Sequence, residues 1–201
     1  MKSFLKIVTA AALLLFPLAA SSANAGQIQT KLEVSAIAKK RVTPYNKYLS
    51  AKEAHHALSS DPSIVLIDVR DPIEINFIGH SSGMDANVPL RTVSNQFKQK
   101  KGSYGWKDNK NFVVEVDMMM KRLGHTKEDT VFVSCRSGVR SAVAARLLYQ
   151  AGYKNVWNLV EGFEGSKDKK TGIRSKNGWR NAGLPWSYKI PATAAWQPLN
   201  K

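Results

Sequence analysis

The chain holds a single cysteine, Cys135, in 201 residues. One thiol excludes an internal disulfide, a Cys-x-x-Cys redox pair and haem attachment through Cys-x-x-Cys-His. Acidic residues are also scarce: 15 Asp and Glu stand against 30 Lys and Arg, a formal charge of +15. Only four histidines occur, His55, His56, His80 and His125, and none has metal-ligand spacing, so no metal or cofactor is expected. His55 and His56 fall in a predicted helix, where adjacent positions do not share a face. We read all four as surface or capping residues. Beyond residue 25 no apolar run is long enough to cross a membrane. Internal repeats, low-complexity tracts, zinc-finger spacings and RNA-binding aromatic motifs are absent from the sequence.

What is present begins with a targeting pattern. Lys2 and Lys6 precede and open an apolar stretch, 7–20, interrupted by Pro17, and Ala23-Asn24-Ala25 matches the small-residue cleavage pattern. Residues 1–25 are therefore expected to be a signal peptide cut before Gly26, leaving a periplasmic protein without stable membrane insertion. No cysteine lies near the cut, which excludes a lipid anchor. Loss of Lys2 and Lys6 lowers the charge to +13. An exported basic protein rarely meets nucleic acid, so anionic small molecules, acidic proteins or anionic lipid are the expected partners. Exported cysteines commonly pair. An odd one in that compartment reads as a reactive thiol.

Residues 26–45 read as an extended arm. Ser50 caps a predicted helix over 51–58, and Ile64-Val65-Leu66-Ile67-Asp68 reads as a buried parallel strand. Asp71-Pro72 supplies a helix cap and a proline at the first helical position, for a short helix ending at Gly79-His80. Residues 86–90 read as a short strand. Residues 91–110 read as a long basic loop. Phe112, Val113, Val116, Met119, Met120 and Leu123 recur at helical spacing, with Gly124 as the stop. The run Met118-Met119-Met120 reads as core filling, not as a copper site. A strand over 130–134, a helix over 141–148 and a strand over 155–160 follow. Residues 166–176 form a second basic loop, 178–183 a helical turn, and 187–201 a loose tail. Strands alternating with helices predict an α/β fold with a mostly parallel sheet.

Cys135 opens the run Cys135-Arg136-Ser137-Gly138-Val139-Arg140, between the strand over 130–134 and the following helix. In parallel sheets, sites form at the carboxyl ends of strands, which is where this thiol stands. Backbone N–H groups of such a turn and the helix dipole converge on the sulfur and favour a thiolate. The two arginines add charge and forked donors for an anion.

Several segments together are similar to one family. They are Leu66-Ile67-Asp68-Val69-Arg70, Glu74, Gly79-His80, Asn87-Val88-Pro89, Val133 through Ser141, Leu159-Val160-Glu161-Gly162-Phe163 and Gly178-Trp179. In this order they resemble the single-domain rhodanese-like sulfurtransferases, over roughly 46–186. The resemblance implies a five-stranded parallel sheet flanked by helices. It implies that Cys135 takes a sulfane sulfur from thiosulfate or a similar anionic donor. The persulfide would pass it to cyanide, a thiol or an acidic protein. Arg136, Ser137, Gly138, Val139 and Arg140 would bind substrate. Arg140 would hold the sulfonate oxygens or brace the loop, and Arg136 would project outward. Asp68 and Arg70 would support the loop, or simply form an ion pair with Glu74 or another neighbour. The segment 81–86 and the basic stretches 91–110 and 166–176 depart from the family pattern.

Two other functions fit parts of the sequence. A cysteine phosphatase needs five residues between Cys and Arg; here Arg140 is itself the fifth residue after Cys135, so the ring is smaller. A persulfide carrier or docking module in a sulfur-oxidation or cofactor-maturation system would use the same cysteine without turnover.

Overall fold

The computed structural model describes residues 28–199. The expected signal peptide lies outside the described residues. The chain then runs β1 (Tyr48–Leu49), α1 (Ala51–Ser60), β2 (Val65–Asp68), α2 (Pro72–Ile78), β3 (His80–Ser81) and β4 (Ala86–Asn87). It continues β5 (Arg91–Lys98), β6 (Ser103–Asp108), α3 (Phe112–Arg122), β7 (Thr130–Ser134), α4 (Val139–Gln150), β8 (Asn155–Leu159) and β9 (Trp186–Ser187).

The central sheet has five parallel strands in the order β1-β8-β7-β2-β4, the expected α/β architecture. Both of its faces are covered, which explains why its strands read as unbroken apolar runs. Val65, Ile67, Val131 and Val133 point to the side of α3 and α4, where Val116, Met119, Met120, Ala144 and Leu148 close the core. Leu66 and Phe132 alternate to the opposite side, against Ala51 and Ala54 of α1, Phe163 and Trp179. Met119 and Met120 are thus core filling, as their spacing implies, but Met118 is not: it lies on the outer face of α3 and is exposed.

Two helices start on reciprocal capping boxes. The Ser50 hydroxyl accepts the Glu53 N–H while the Glu53 carboxylate accepts the Ser50 N–H, and Asp71 and Glu74 are arranged the same way on α2. The second box holds Glu74 at a fixed place near the carboxyl end of β2, which matters for the site.

Further expectations are corrected. The arm expected over 26–45 is not extended throughout, since Val34–Ala36 and Lys39–Arg41 form short 3-10 helices. Residues 91–110 are not a loop: β5 and β6 pair antiparallel as a separate hairpin, with Val93 opposite Trp106 and Phe97 opposite Tyr104. Its turn closes through Gly102 in the left-handed region. The described part of the tail is not loose. β9 pairs with β3, the Asn87 N–H donates to Ala194 O, and Trp196 Nε1 donates to the Glu115 carboxylate at 2.8 Å. That carboxylate is buried; Asn109 Nδ2 also donates to it, and the Leu199 N–H supplies a second bond from the tail, which ties the segment down. Nor is His80 a surface residue. It is 2 % exposed, with its ring nitrogens 2.9 Å from Ser81 O and 3.0 Å from Lys189 O.

Candidate active site

β7 ends at Ser134, α4 starts at Val139, and the turn between them holds Cys135. The turn is shaped by glycine at two places. Gly138 has φ +81°, and a Cβ there would fall 2.1 Å from Val160 O. Gly162 sits under the other end, where a Cβ would fall 2.4 Å from Cys135 O. The segment after β8 therefore lies flush against the turn. It holds it by hydrogen bonds: the Phe163 N–H donates to Cys135 O, and the Glu164 and Gly165 N–H groups donate to Arg136 O.

The Cys135 and Arg136 carbonyls are thus engaged at the back of the turn. Among the described residues, the N–H groups of Arg136, Ser137 and Gly138 donate to no other protein group. Buried or half-buried N–H groups are nearly always paired in folded proteins, so three consecutive free ones form an anion cradle. The Cys135 residue is 1 % exposed, so its sulfur lies below the surface of this cradle. The Ser141 Oγ lies 3.4 Å from Cys135 Sγ and 2.7 Å from Asn158 Oδ1. The Asn158 amide nitrogen is anchored on Gly138 O and Arg41 O, which fixes its oxygen toward Ser141.

The two arginines of the turn have different jobs. Arg140 is buried and gives both terminal nitrogens to Glu74, at 2.5 and 2.7 Å, so it braces the loop and does not reach into the cradle. Burial alone would push the Glu74 carboxyl up; the hydrogen bonds and charge of Arg140 outweigh it and hold Glu74 below the ordinary value. Burial would likewise lower Arg140, and the same pairing raises it instead, helped by the charges of Cys135 and Asp68. Arg136 projects outward as expected, with its Nε bonded to Glu164 at 2.6 Å.

Asp68 and Arg70 pair with each other, not with Glu74, at 2.6 Å and fully buried. Arg70 also donates to Gly79 O and stacks 4.5 Å from the Phe163 ring centroid. Since the Phe163 N–H holds Cys135 O, the pair supports the turn from behind.

Sequence reasoning did not single out Trp106 or Asn158, and it read Arg174 and Glu164 only as charges of the second basic stretch. Trp106, on the β5–β6 hairpin, lies between Arg140 at 5.2 Å and Arg91 at 5.1 Å. The alternation Tyr104-Gly105-Trp106 and the Gly102 turn were the signals for it. Arg174, in the second basic stretch, is near enough to Arg136 and Cys135 to feel both charges. Burial and Arg136 lower its pKa, partly offset by Glu164 and Cys135. Both basic stretches therefore reach this site. Among the described residues no three His, Cys, Asp or Glu side chains cluster as a metal site requires.

The rhodanese-like domain family matches residues 50–169, which brackets the sheet and the Cys135 turn. The chain belongs to this family. It is 29 % identical over 140 residues to "Uncharacterized protein RP600 homolog" of Rickettsia rickettsii, covering 70 % of this chain and 96 % of that one. It is 32 % identical over 121 residues to "Putative thiosulfate sulfurtransferase, mitochondrial" of Schizosaccharomyces pombe, covering 59 % and 71 %. Among solved structures, Rv0390 from M. tuberculosis superposes with a TM-score of 0.56 at 31 % identity, over 72 % of this chain and 99 % of that one. The rhodanese-like fold places the cradle and its cysteine at the carboxyl end of the middle strand of the sheet.

Proposed function

We propose that this protein is an exported sulfurtransferase, working in the periplasm, that carries a sulfane sulfur on Cys135. The observation that carries the reading is the cradle of three unpartnered N–H groups around the chain's one thiol. The likeness to a protein named for thiosulfate sulfurtransfer agrees with it.

The Cys135 thiolate attacks the outer sulfur of thiosulfate. A Sγ–S bond forms, the S–S bond of the donor breaks, and its electron pair leaves with sulfite. The cradle then holds the persulfide anion with fixed dipoles that need no reorganisation. Cyanide or a thiolate attacks the terminal sulfur next. The Sγ–S bond breaks, its electron pair returns to Cys135, and thiocyanate or the acceptor persulfide departs. Arg136 and Arg174 hold positive charge at the rim, where the dianionic donor enters and sulfite leaves. Arg140 keeps the loop in shape through Glu74.

Mass spectrometry after thiosulfate treatment tests the reading. One added sulfur on Cys135, none on Cys135→Ser, and many thiocyanates per protein in excess cyanide are expected. Equal labelling of Cys135→Ser would overturn the assignment. Thiocyanate limited to one per protein would leave a persulfide carrier instead of an enzyme.

A further inference from the structure

The β5–β6 hairpin carries an exposed aromatic face beside the Cys135 turn. Val93 and Trp106 are direct cross-strand partners, as are Phe97 and Tyr104, so each pair shares a face. Tyr104 and Trp106 are two apart on one strand, which puts both pairs on the same face. The four side chains are 45–60 % exposed, and the Phe97 and Tyr104 rings pack edge to face at 5.9 Å. A groove of about 440 Å3 runs along this face, lined by Phe97, Tyr104, Trp106 and lysines of the tip. Among the described residues no helix or other strand covers it. Exposed aromatics gathered in this way mark an interaction site.

Two observations say what sits there. The face ends at Trp106, whose ring lies against Arg140 of the Cys135 turn, so an occupant is delivered beside the cradle. From Arg91 to Asp108 the hairpin has Arg91, Lys98, Lys100, Lys101 and Lys107 against a single acid, Asp108, which stands opposite Arg91 at the base. The occupant is therefore acidic. Lys98, Lys100 and Lys101 line the groove, whereas Lys107 alternates to the face opposite the aromatics, since it neighbours Trp106 in sequence. A flat anionic bilayer would meet one face only, whereas a polypeptide can follow the groove and reach both sets of charge.

We propose that this hairpin docks an acidic protein segment bearing a cysteine, which is the sulfur acceptor. The proposal rests on the sulfurtransferase reading above and names its partner. The docked acceptor thiolate attacks the terminal sulfur of the Cys135 persulfide. The new S–S bond forms on the acceptor as the Sγ–S bond breaks, and the electron pair returns to Cys135.

Two synthetic peptides test it, of equal length and each with one cysteine, one rich in Asp and Glu, the other in Asn and Gln. Sulfur transfer from thiosulfate-loaded protein to the acidic peptide is expected to be at least about tenfold faster at low salt. The variant Phe97→Ser with Tyr104→Ser should lose most of that preference while its transfer to cyanide stays unchanged, which also shows that it folds. Equal rates for the two peptides, or an unchanged preference in the variant, would overturn the proposal. So would hairpin-dependent sedimentation with phosphatidylcholine vesicles containing about one third phosphatidylglycerol, without a peptide preference. Fluorescence anisotropy with a labelled acidic peptide carrying Ser for Cys reads docking without chemistry. If Cys135 takes up no sulfur yet this peptide binds through the hairpin, the sulfur-transfer reading fails and the docking surface stands.

Discussion

Glu74 and Arg140 form a buried two-point ion pair that joins the first turn of α2 to the first turn of α4. Their side chains are 12 % and 8 % exposed, so neither charge has water to fall back on. Removing one partner of such a pair leaves an uncompensated charge, at a cost of about 3–5 kcal/mol. Glu74→Gln should destabilise the fold by that order in urea titrations and lower turnover, since Arg140 no longer holds the turn. The pH dependence has a definite sign. Glu74 is depressed in the folded state, so its contribution is complete above the ordinary carboxyl value of 4.5 and is lost as pH falls through the lower folded value. Unfolding curves below pH 4.5 should show a shallower acid-side loss in Glu74→Gln than in wild type. Parallel acid limbs in the two proteins would contradict the pairing.

Gly138 and Gly124 separate backbone strain from collision. Both have φ +81°. A Cβ at Gly138 meets Val160 O at 2.1 Å, whereas one at Gly124 meets nothing within 4 Å. Gly124→Ala should therefore cost about 1 kcal/mol, the penalty for a left-handed alanine. Gly138→Ala must also push the turn off the segment after β8. A loss of more than about 2 kcal/mol is expected, together with loss of sulfur transfer. Equal melting temperatures for the two variants would show that the turn is not held against Val160.

The legible and illegible parts of this protein divide along physical lines. Strands β2 and β7 could be read because both sheet faces are covered, which leaves a run such as Val131-Phe132-Val133 without polar interruption. The caps Ser50 and Asp71 could be read because one residue decides each. The cysteine turn was legible from local sequence because its machinery is local: one thiol, one glycine and the first turn of a helix. The hairpin was not. Its aromatics are exposed, so no burial pattern distinguishes them from a basic loop, and only alternation and Gly102 remained as signals. The tail was missed because its anchors are distant: Trp196 and Leu199 are held by Glu115, across more than 80 positions of sequence. Arg140 left two roles open, and the choice between them was made by Glu74, whose position depends on packing of α2 against the turn.

Ser141 and Asn158 predict a coupled effect on stability and chemistry. The Ser141 hydroxyl has one proton and two neighbours, Cys135 Sγ at 3.4 Å and Asn158 Oδ1 at 2.7 Å. Both residues are fully buried. Ser141→Ala leaves the Asn158 oxygen without this donor, at a cost of about 1–3 kcal/mol. It also takes away the hydroxyl nearest the sulfur. Lower kcat with thiosulfate and cyanide is expected alongside the stability loss. Ser141→Thr keeps the hydroxyl and should restore the rate in part. Unchanged kcat in Ser141→Ala would confine the residue to a packing role.

The second basic stretch predicts a salt-dependent encounter with the donor. Arg174 donates to Gly165 O, which sits on the segment bonded to the Cys135 turn, and it feels the charges of Arg136 and Cys135. Lys167 pairs with Arg174 across an isolated bridge, so the lysines at 167, 169 and 170 belong to the same rim. Only Asp168 in this group is negative, and its carboxylate is engaged by the Lys170 and Thr171 N–H groups and by Lys176. The rim therefore keeps a net positive field over the path to the cradle. A dianion feels that field twice as strongly as a monoanion, and salt screens it over about 30 Å at 0.01 M but about 10 Å at 0.1 M. kcat/KM for thiosulfate should fall steeply across that range, whereas kcat/KM for the monoanionic acceptor, cyanide, should fall less. Reversing Lys167, Lys169 and Lys170 to Glu should lower kcat/KM at low salt and flatten the slope, leaving kcat near wild type because none of the three touches the turn. If the triple variant keeps both the wild-type rate and the wild-type slope, the rim lysines act only as a solvated surface, and the attraction of the donor resides in Arg136, Arg174 and the cradle alone.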